Sequence, residues 1–426
     1  MLYKSDKGFA KKLDSEDHLK EYRKQFYFPD ENTIYLDGNS LGRLVSYTIE
    51  HLALSIEQEW GDRLIRSWNE GWYHKSRELG DKIAKIIGAS HGEVIVADST
   101  SMNLYKLAYA ALKIQENRTK IISDEINFPT DLYIIQGLIE QFGRKHQLVL
   151  AESKDGISVN FDDLFSMIDD QTAFITLSHV IFKSGFLYNM AAVNSMAQER
   201  GAMVIWDLSH SAGSVPVALN DSGADLAVGC TYKYLNGGPG SPAWLYVRKE
   251  LQDKLVSPVW GWFGAKDPFS FDLDFEPAEG IARFLIGSPP ILSMKALEPA
   301  LDIIIEAGME KIREKSILQT EYLRYLMRER LDKFGFEPGS PEDPMKRGSH
   351  ISIKHPEAYR ICQALINPKD SDITVIPDFR TPDNIRLGIA PLYNSFEDIF
   401  ICVERIREVM VERSYDRYSD EKPEVT

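Results

Sequence analysis

Between Glu93 and Arg248 the chain alternates short apolar runs with longer stretches of helical spacing. Runs of strand length cover residues 93–97, 119–122, 147–151, 173–177, 202–206, 226–229 and 244–247. Helical patterns at 102–114, 130–142 and 190–200 lie between several of them. Strands apolar on both faces and joined by helices of that length predict a mainly parallel, doubly wound α/β sheet with helices on each side. Ligands in such sheets bind beyond the carboxyl ends of the strands, so the residues just after each run carry the most information.

After Pro290 the pattern changes. A long helical stretch covers 292–333 with an interruption near Gly308, followed by a strand at 349–353, a helix at 357–365, strands at 374–376 and 385–387, and a helix at 396–411. A chain of 426 residues exceeds the size at which single cores stop growing. The expected division is a large domain at 45–300 and a smaller α+β domain at 301–413. Residues 1–44 are expected to pack with the smaller domain, and the polar segment 414–426 to fray.

Composition narrows the partners. The formal charge of −15 opposes binding to a phosphate backbone, so no nucleic-acid partner is expected. Cys230, Cys362 and Cys402 are odd in number and far apart, which suggests no disulfide framework. Residues 1–24 are studded with charges, and no apolar stretch approaches the ~20 residues of a membrane helix. A cytoplasmic location is therefore expected.

The segment Ala202-Met-Val-Ile-Trp-Asp207-Leu-Ser-His210 is an apolar strand ending in an acid, with a histidine shortly after. Cys230-Thr-Tyr-Lys233-Tyr-Leu-Asn-Gly-Gly-Pro-Gly240 places a lysine after the next apolar run, with a glycine-rich turn behind it. Singly, Asp207 reads as a helix cap and Lys233 as a solvated charge. Together at adjacent strand ends they are the pair pyridoxal phosphate needs: a lysine for the Schiff base and a carboxylate for the pyridine nitrogen. Asp98-Ser99-Thr100-Ser101-Met-Asn103 follows a strand and opens a helix, offering hydroxyls and free N–H groups to a phosphate as well as an ordinary cap. Phe128, at the next strand–helix junction, can stack on a cofactor ring or serve as plain core. The glycines at 237–240 lack the spacing of a dinucleotide fingerprint, and no Walker or metal-binding motif is present.

These residues sit in a larger set. Tyr35-Leu-Asp-Gly-Asn-Ser-Leu-Gly42, Ile65-Arg-Ser-Trp68 with Gly71-Trp72, Phe128-Pro-Thr-Asp131, Asp207-Leu-Ser-His210, Tyr232-Lys233-Tyr-Leu-Asn, Gly261-Trp-Phe-Gly264, Gly287-Ser-Pro-Pro-Ile-Leu292, and Arg386 before Ala390-Pro-Leu-Tyr-Asn394 occur in that order. The chain resembles the kynureninases, fold-type-I pyridoxal-phosphate enzymes, and their bacterial members in particular. The resemblance implies hydrolysis of L-kynurenine, or its 3-hydroxy form, to an anthranilate and L-alanine by cleavage of the Cβ–Cγ bond.

By position it implies Lys233 as the Schiff-base lysine, Asp207 at the pyridine nitrogen and His210 beside the cofactor. Thr100, Ser101, Tyr232, Trp262 and Ser288 are expected to grip the phosphate, the last two Trp262 and Ser288 from a partner subunit. Phe128 and Asp131 flank the ring, with Ser178 nearby. Arg386 is expected to hold the substrate α-carboxylate, with Asn39 and Trp72 also on the substrate. Tyr232 is the expected acid/base, its phenol lowered in pKa by a cationic neighbour. Trp72 would crowd a substituted ring, which favours kynurenine over 3-hydroxykynurenine.

Two stretches depart from the family pattern: Phe182-Lys183-Ser184-Gly185 stands where Tyr-Arg-Thr-Gly is common, and Ala265 where histidine is usual. A homodimer is expected, with the aromatic stretch Val259-Trp-Gly-Trp-Phe263 at its boundary. The main rivals are another fold-type-I enzyme, such as a cysteine desulfurase or aminotransferase, and a binding protein that kept the fold. A desulfurase needs a nucleophilic cysteine on a mobile loop, whereas Cys362 and Cys402 lie in amphipathic helical patterns.

Overall fold

A computed structural model describes residues 3–421. Strand β1 (Thr33–Tyr35) precedes a seven-stranded sheet of β2 (Val94–Val96), β3 (Lys120–Asp124), β4 (Gln147–Ala151), β5 (Thr172–Ser178), β6 (Met203–Asp207), β7 (Leu226–Gly229) and β8 (Trp244–Val247). Their order is β2-β8-β7-β6-β5-β3-β4. All pairings are parallel except those of β8, which runs antiparallel to β2 and β7. Alternation along the strands feeds two cores: Met203, Ile205, Leu226 and Val228 on one face, and Val204, Trp206, Ala227 and Trp244 on the other. Burial on both faces is why these strands read as continuous apolar runs.

A second sheet, ordered β12-β13-β10-β9, contains β9 (Glu337–Pro338), β10 (His350–Lys354), β12 (Asp378–Arg380) and β13 (Asn384–Gly388). Strand β11 (Thr374–Ile376) does not join it, but pairs in parallel with β1 in a two-stranded sheet. Ile351, Ile353, Ile385 and Leu387 enter a separate core with the helices Ala358–Ile366 and Phe396–Glu412. Ala10, Leu13, Ile34 and Leu36 from the start of the chain lie in that same core. The helix Met309–Leu331 serves both regions: Met309 and Ile312 pack on the large sheet's core, Tyr322 to Leu331 on the other. The chain thus crosses between cores inside a helix.

Part of the segment expected to fray makes contacts with the small domain. Ser414–Arg417 forms a turn of 3-10 helix with Tyr415 buried. Arg360 Nε donates to the Tyr418 carbonyl (3.0 Å), and the Tyr359 hydroxyl donates to that of Glu421 (2.9 Å). The polar composition hid aromatic anchors at Tyr415 and Tyr418. Residues 422–426 of that segment lie outside the described residues.

Candidate active site

Lys233 stands four residues past β7, on a turn closed by hydrogen bonds from Asn236 N to Lys233 O (2.9 Å) and from Gly237 N to Thr231 O (2.9 Å). Its Nζ lies 3.5 Å from His210 Nε2 and 5.8 Å from the ring centres of Phe128 and Tyr232. His210 is buried, and that burial, followed by the charges of Lys233 and Arg386, drives its pKa well below the usual value. A neutral imidazole therefore faces the amine. The N-terminal signature meets this turn directly: Gly42 N donates to the Tyr232 carbonyl (2.7 Å). A Cβ on Gly42 would sit 2.3 Å from the Lys233 carbonyl oxygen, so the close approach requires glycine.

Two acids lie close enough to Lys233 for their charges to act on one another. Asp207 ends β6 beside β7, and its Oδ1 accepts from Ser209 N (2.8 Å), which fixes the plane of the carboxylate. Asp131 sits in the first turn of the helix Pro129–Gln141, buried, with Oδ2 unmatched by any donor. Burial, and then the charge of Asp207, push its carboxyl well above the usual range, while Lys233 pulls it back. Phe128 caps that helix and meets Phe182 edge-on at 5.3 Å. Ser178 ends β5 and donates to Asn127 Oδ1 (2.7 Å), which in turn accepts from Phe128 N (2.8 Å). Asn127 thus links the strand ends, a role its position in a turn did not advertise.

The Asp98–Ser101 segment enters the helix Thr100–Ile114 with Ser99 as its N-cap, accepting from Met102 N (3.3 Å). It forms one wall of a cleft of about 610 Å³ whose lining also includes Tyr232 and Gly287–Ser288. Thr100, Ser101, Tyr232 and Ser288 are therefore brought together within one chain. Trp262 is not part of that lining. It is 41% exposed and packs edge-on against Phe263 and Phe269. Trp72 is also elsewhere: its indole donates to Glu59 Oε2 (2.7 Å) and meets Trp68 edge-on. The expected lowering of the Tyr232 pKa is not found. Burial, then Cys230 and Asp207, push this phenol up, because desolvation disfavours the phenolate and the neighbours that act on it do so in the same direction.

The small sheet closes the site with its polar face. Ser352 is directly opposite Arg386 and His350 opposite Gly388, so these four share the face away from the isoleucine core. Arg386, 1% exposed, donates to the Phe182 carbonyl (2.6 Å) and Ser40 Oγ (2.7 Å) and pairs with Asp378 (2.5 Å). Asn39 is buried against Gly388, and neither atom of its amide finds a partner. His350, 5.8 Å from His210 between ring centres, likewise makes no well-formed hydrogen bond through either ring nitrogen. A histidine that opens an alternation ending in Ile351 and Ile353 reads as part of a strand, and only the pleat reveals that it shares a face with Arg386.

The comparisons with known proteins decide the family. A family model described as the kynureninase C-terminal domain matches residues 312–406. A kynureninase from Pseudomonas fluorescens is 42% identical over 408 residues, 95% of each chain. One from Burkholderia pseudomallei is 43% identical over 403 residues, covering 93% of this chain and 94% of its own. The chain belongs to the kynureninase family.

Among solved structures, an apo cysteine desulfurase from Thermococcus onnurineus aligns over 92% of this chain and 98% of its own, with TM-score 0.79 and 20% identity. A cysteine desulfurase from Escherichia coli aligns over 94% and 99%, with TM-score 0.76 and 16% identity. These share the fold-type-I architecture. The thiols of this kynureninase-family chain are all buried, and burial raises each of them, Cys402 to about 12 and Cys362 well above its usual value. Such thiols are poor nucleophiles.

Proposed function

We propose that the protein hydrolyses L-kynurenine to anthranilate and L-alanine with pyridoxal phosphate on Lys233, and that 3-hydroxykynurenine is a poorer substrate. The observation that carries the reading is the Lys233 amine beside a neutral His210, in a pocket with Asp207 and the unmatched carboxyl of Asp131. The cofactor fits these residues: an Asp131 oxygen is unmatched, and the cleft is lined by the hydroxyl residues Ser99, Thr100, Ser101 and Ser288. When bound, it supplies an electron sink that labilises bonds at the substrate's Cα and Cβ.

Asp207, oriented by the Ser209 N–H, would accept from the pyridine nitrogen, Asp131 and Phe128 would help to hold the ring, and Ser178 keeps Asn127 in place beside Phe128. Ser99 to Ser101 at the helix N-terminus, with Tyr232 and Ser288, would hold the phosphate. Arg386 and the unmatched amide of Asn39 bind the α-carboxylate, and Phe182 O, Ser40 and Asp378 lock the guanidinium plane. Lys233 Nζ removes the proton from Cα. Tyr232 keeps its proton on Oη and delivers it as negative charge develops on Cβ; a raised phenol pKa suits a donor to so strong a base.

We also infer a homodimer in the cytosol. Trp60, Leu64, Ile65, Trp260, Phe269, Phe271 and Leu273 are all more than half exposed, an apolar load that a partner copy would cover. Pairing there would carry Trp262 and Trp72 to a neighbouring site. Three buried free cysteines suit a reducing compartment, and among the described residues no helix is long and apolar enough to cross a membrane.

The test is an assay of the reconstituted protein on both substrates, following anthranilate and alanine, with light scattering for mass. Stoichiometric products that vanish in Lys233→Ala, from a particle of twice the chain mass, are the expected outcome. Cofactor binding without product from either substrate would refute the reading.

A further inference from the structure

The cofactor cleft contains a charge of the wrong sign for its purpose. Asp98 opens the loop whose next three residues line the cleft, and its own residue is part of that lining. An aspartate there repels a phosphate dianion. Its backbone is held in the left-handed region (φ 51°), and its carbonyl accepts from Ala243 N on the edge of β8 (2.8 Å), so the loop cannot easily turn the carboxylate away.

Lys106 answers that charge. It lies two turns into the same helix, with its side chain fully buried. Its Nζ donates to Asp98 Oδ2 (2.7 Å) and to the carbonyl of Phe284 (2.8 Å). Phe284 precedes Leu285–Ser288, which line the opposite side of the cleft. One buried ammonium therefore neutralises the acid on one wall and ties the other wall to it. Burial pulls the Lys106 pKa down and Asp98 offsets part of that pull, so the buried ammonium depends on its acid.

We propose that Lys106 is a positioning residue for the cofactor phosphate, which makes the Asp98–Ser101 loop competent to bind a dianion by cancelling Asp98. This rests on the reading that the phosphate occupies that cleft. Without the lysine, an unpaired carboxylate would stand beside the phosphate, and the penalty would fall on the phosphate alone. The pyridine ring, held by Asp207 and Lys233, would not feel it.

The test compares titration of apoenzyme with pyridoxal phosphate and with pyridoxal, which lacks the phosphate, followed by absorbance and by tryptophan fluorescence. The quantity read is the ratio of the two affinities. Lys106→Met is expected to lower that ratio roughly 10- to 100-fold, with pyridoxal affinity nearly constant. In an Asp98→Asn background the same substitution is expected to lower it less than about 3-fold, because a lysine buried without its acid sheds its proton and no lone carboxylate is left behind.

Should Lys106→Met fail to fold, the double variant Asp98→Asn/Lys106→Met, which buries no lone charge, is compared with the parent: a ratio within about 3-fold is expected, and a rise of roughly 10-fold or more on loss of both charges would show that Lys106 had not been cancelling Asp98. Equal loss of both ligands, or a full loss of the ratio in the Asp98→Asn background, would overturn the proposal. The variant Thr100→Ala/Ser101→Ala separates the two readings. If it leaves the ratio intact, the phosphate is elsewhere and the cleft assignment fails. If it lowers the ratio while Lys106→Met does not, only the role of Lys106 fails.

Discussion

Gly42→Ala tests whether the N-terminal segment sets the position of the catalytic lysine. The added methyl would lie 2.3 Å from the Lys233 carbonyl oxygen, 2.4 Å from Asn236 Oδ1 and 2.7 Å from Asn236 Cα. Two of these are backbone atoms, so a side-chain rotation cannot relieve them. An ordinary carbon–oxygen contact needs the segments to separate by roughly 1 Å, and the 2.7 Å hydrogen bond from Gly42 N to Tyr232 O would then open beyond bonding distance. Losing that bond and leaving its groups unmatched costs about 1–3 kcal/mol. A lysine amine moved by ~1 Å costs on the order of 100-fold in turnover. The assay is kcat from anthranilate fluorescence at saturating cofactor and substrate, paired with a melting curve. A kcat within 3-fold of the parent, at an unchanged Tm, would show that this contact does not place Lys233.

Arg386→Lys keeps the charge but loses the planar fork that meets Phe182 O, Ser40 and Asp378, so KM for kynurenine should rise about 10- to 100-fold with a smaller change in kcat; steady-state kinetics will show the split. The buried Asp124 carboxyl is pushed up to about 7 by burial, opposed by the Tyr188 hydroxyl, so the folded protein holds a proton there that the unfolded chain releases near pH 4. Its contribution to stability therefore falls as the pH rises from about 4 to 7, by a few kcal/mol in all. Asp124→Asn lacks that dependence, and the Tm of the variant should gain on the parent between pH 5 and 8; parallel curves would refute it. If Trp72 reaches a neighbouring site, kcat/KM should favour kynurenine over 3-hydroxykynurenine, and Trp72→Ala should narrow the ratio. An equal or reversed preference in the parent would remove Trp72 from the substrate pocket.

The large sheet was readable because its strands are apolar on both faces, and the runs at 147–151, 226–229 and 244–247 coincide with β4, β7 and β8. The lysine and acid at adjacent strand ends were readable for the same reason, since topology alone brings the ends of β6 and β7 together. What escaped was whatever depends on chain segments far apart. His350 and Asn39 look like core and turn residues until the small sheet's pleat and Gly388 are in place. Lys106 looks like an ordinary helix residue, because nothing local announces that Phe284 passes over it. Tyr232 failed differently: proximity to a lysine was evident, but the depth of its burial was not.

The pairing of β1 with β11 has a consequence for how the protein is made. Thr33 waits for Thr374, a separation of 374 − 33 = 341 residues. At roughly 5–20 residues per second, a ribosome needs on the order of 20–70 s to supply that partner. During this interval Ile34 and Leu36, destined for a core that does not yet exist, remain without cover, although Gly42 can already meet the Tyr232 carbonyl. The large sheet can form while synthesis continues, so a nascent chain would own its lysine long before it owned a closed site. Enzymatic competence would then arrive abruptly, with release of the last helix, and truncated products would be born inactive.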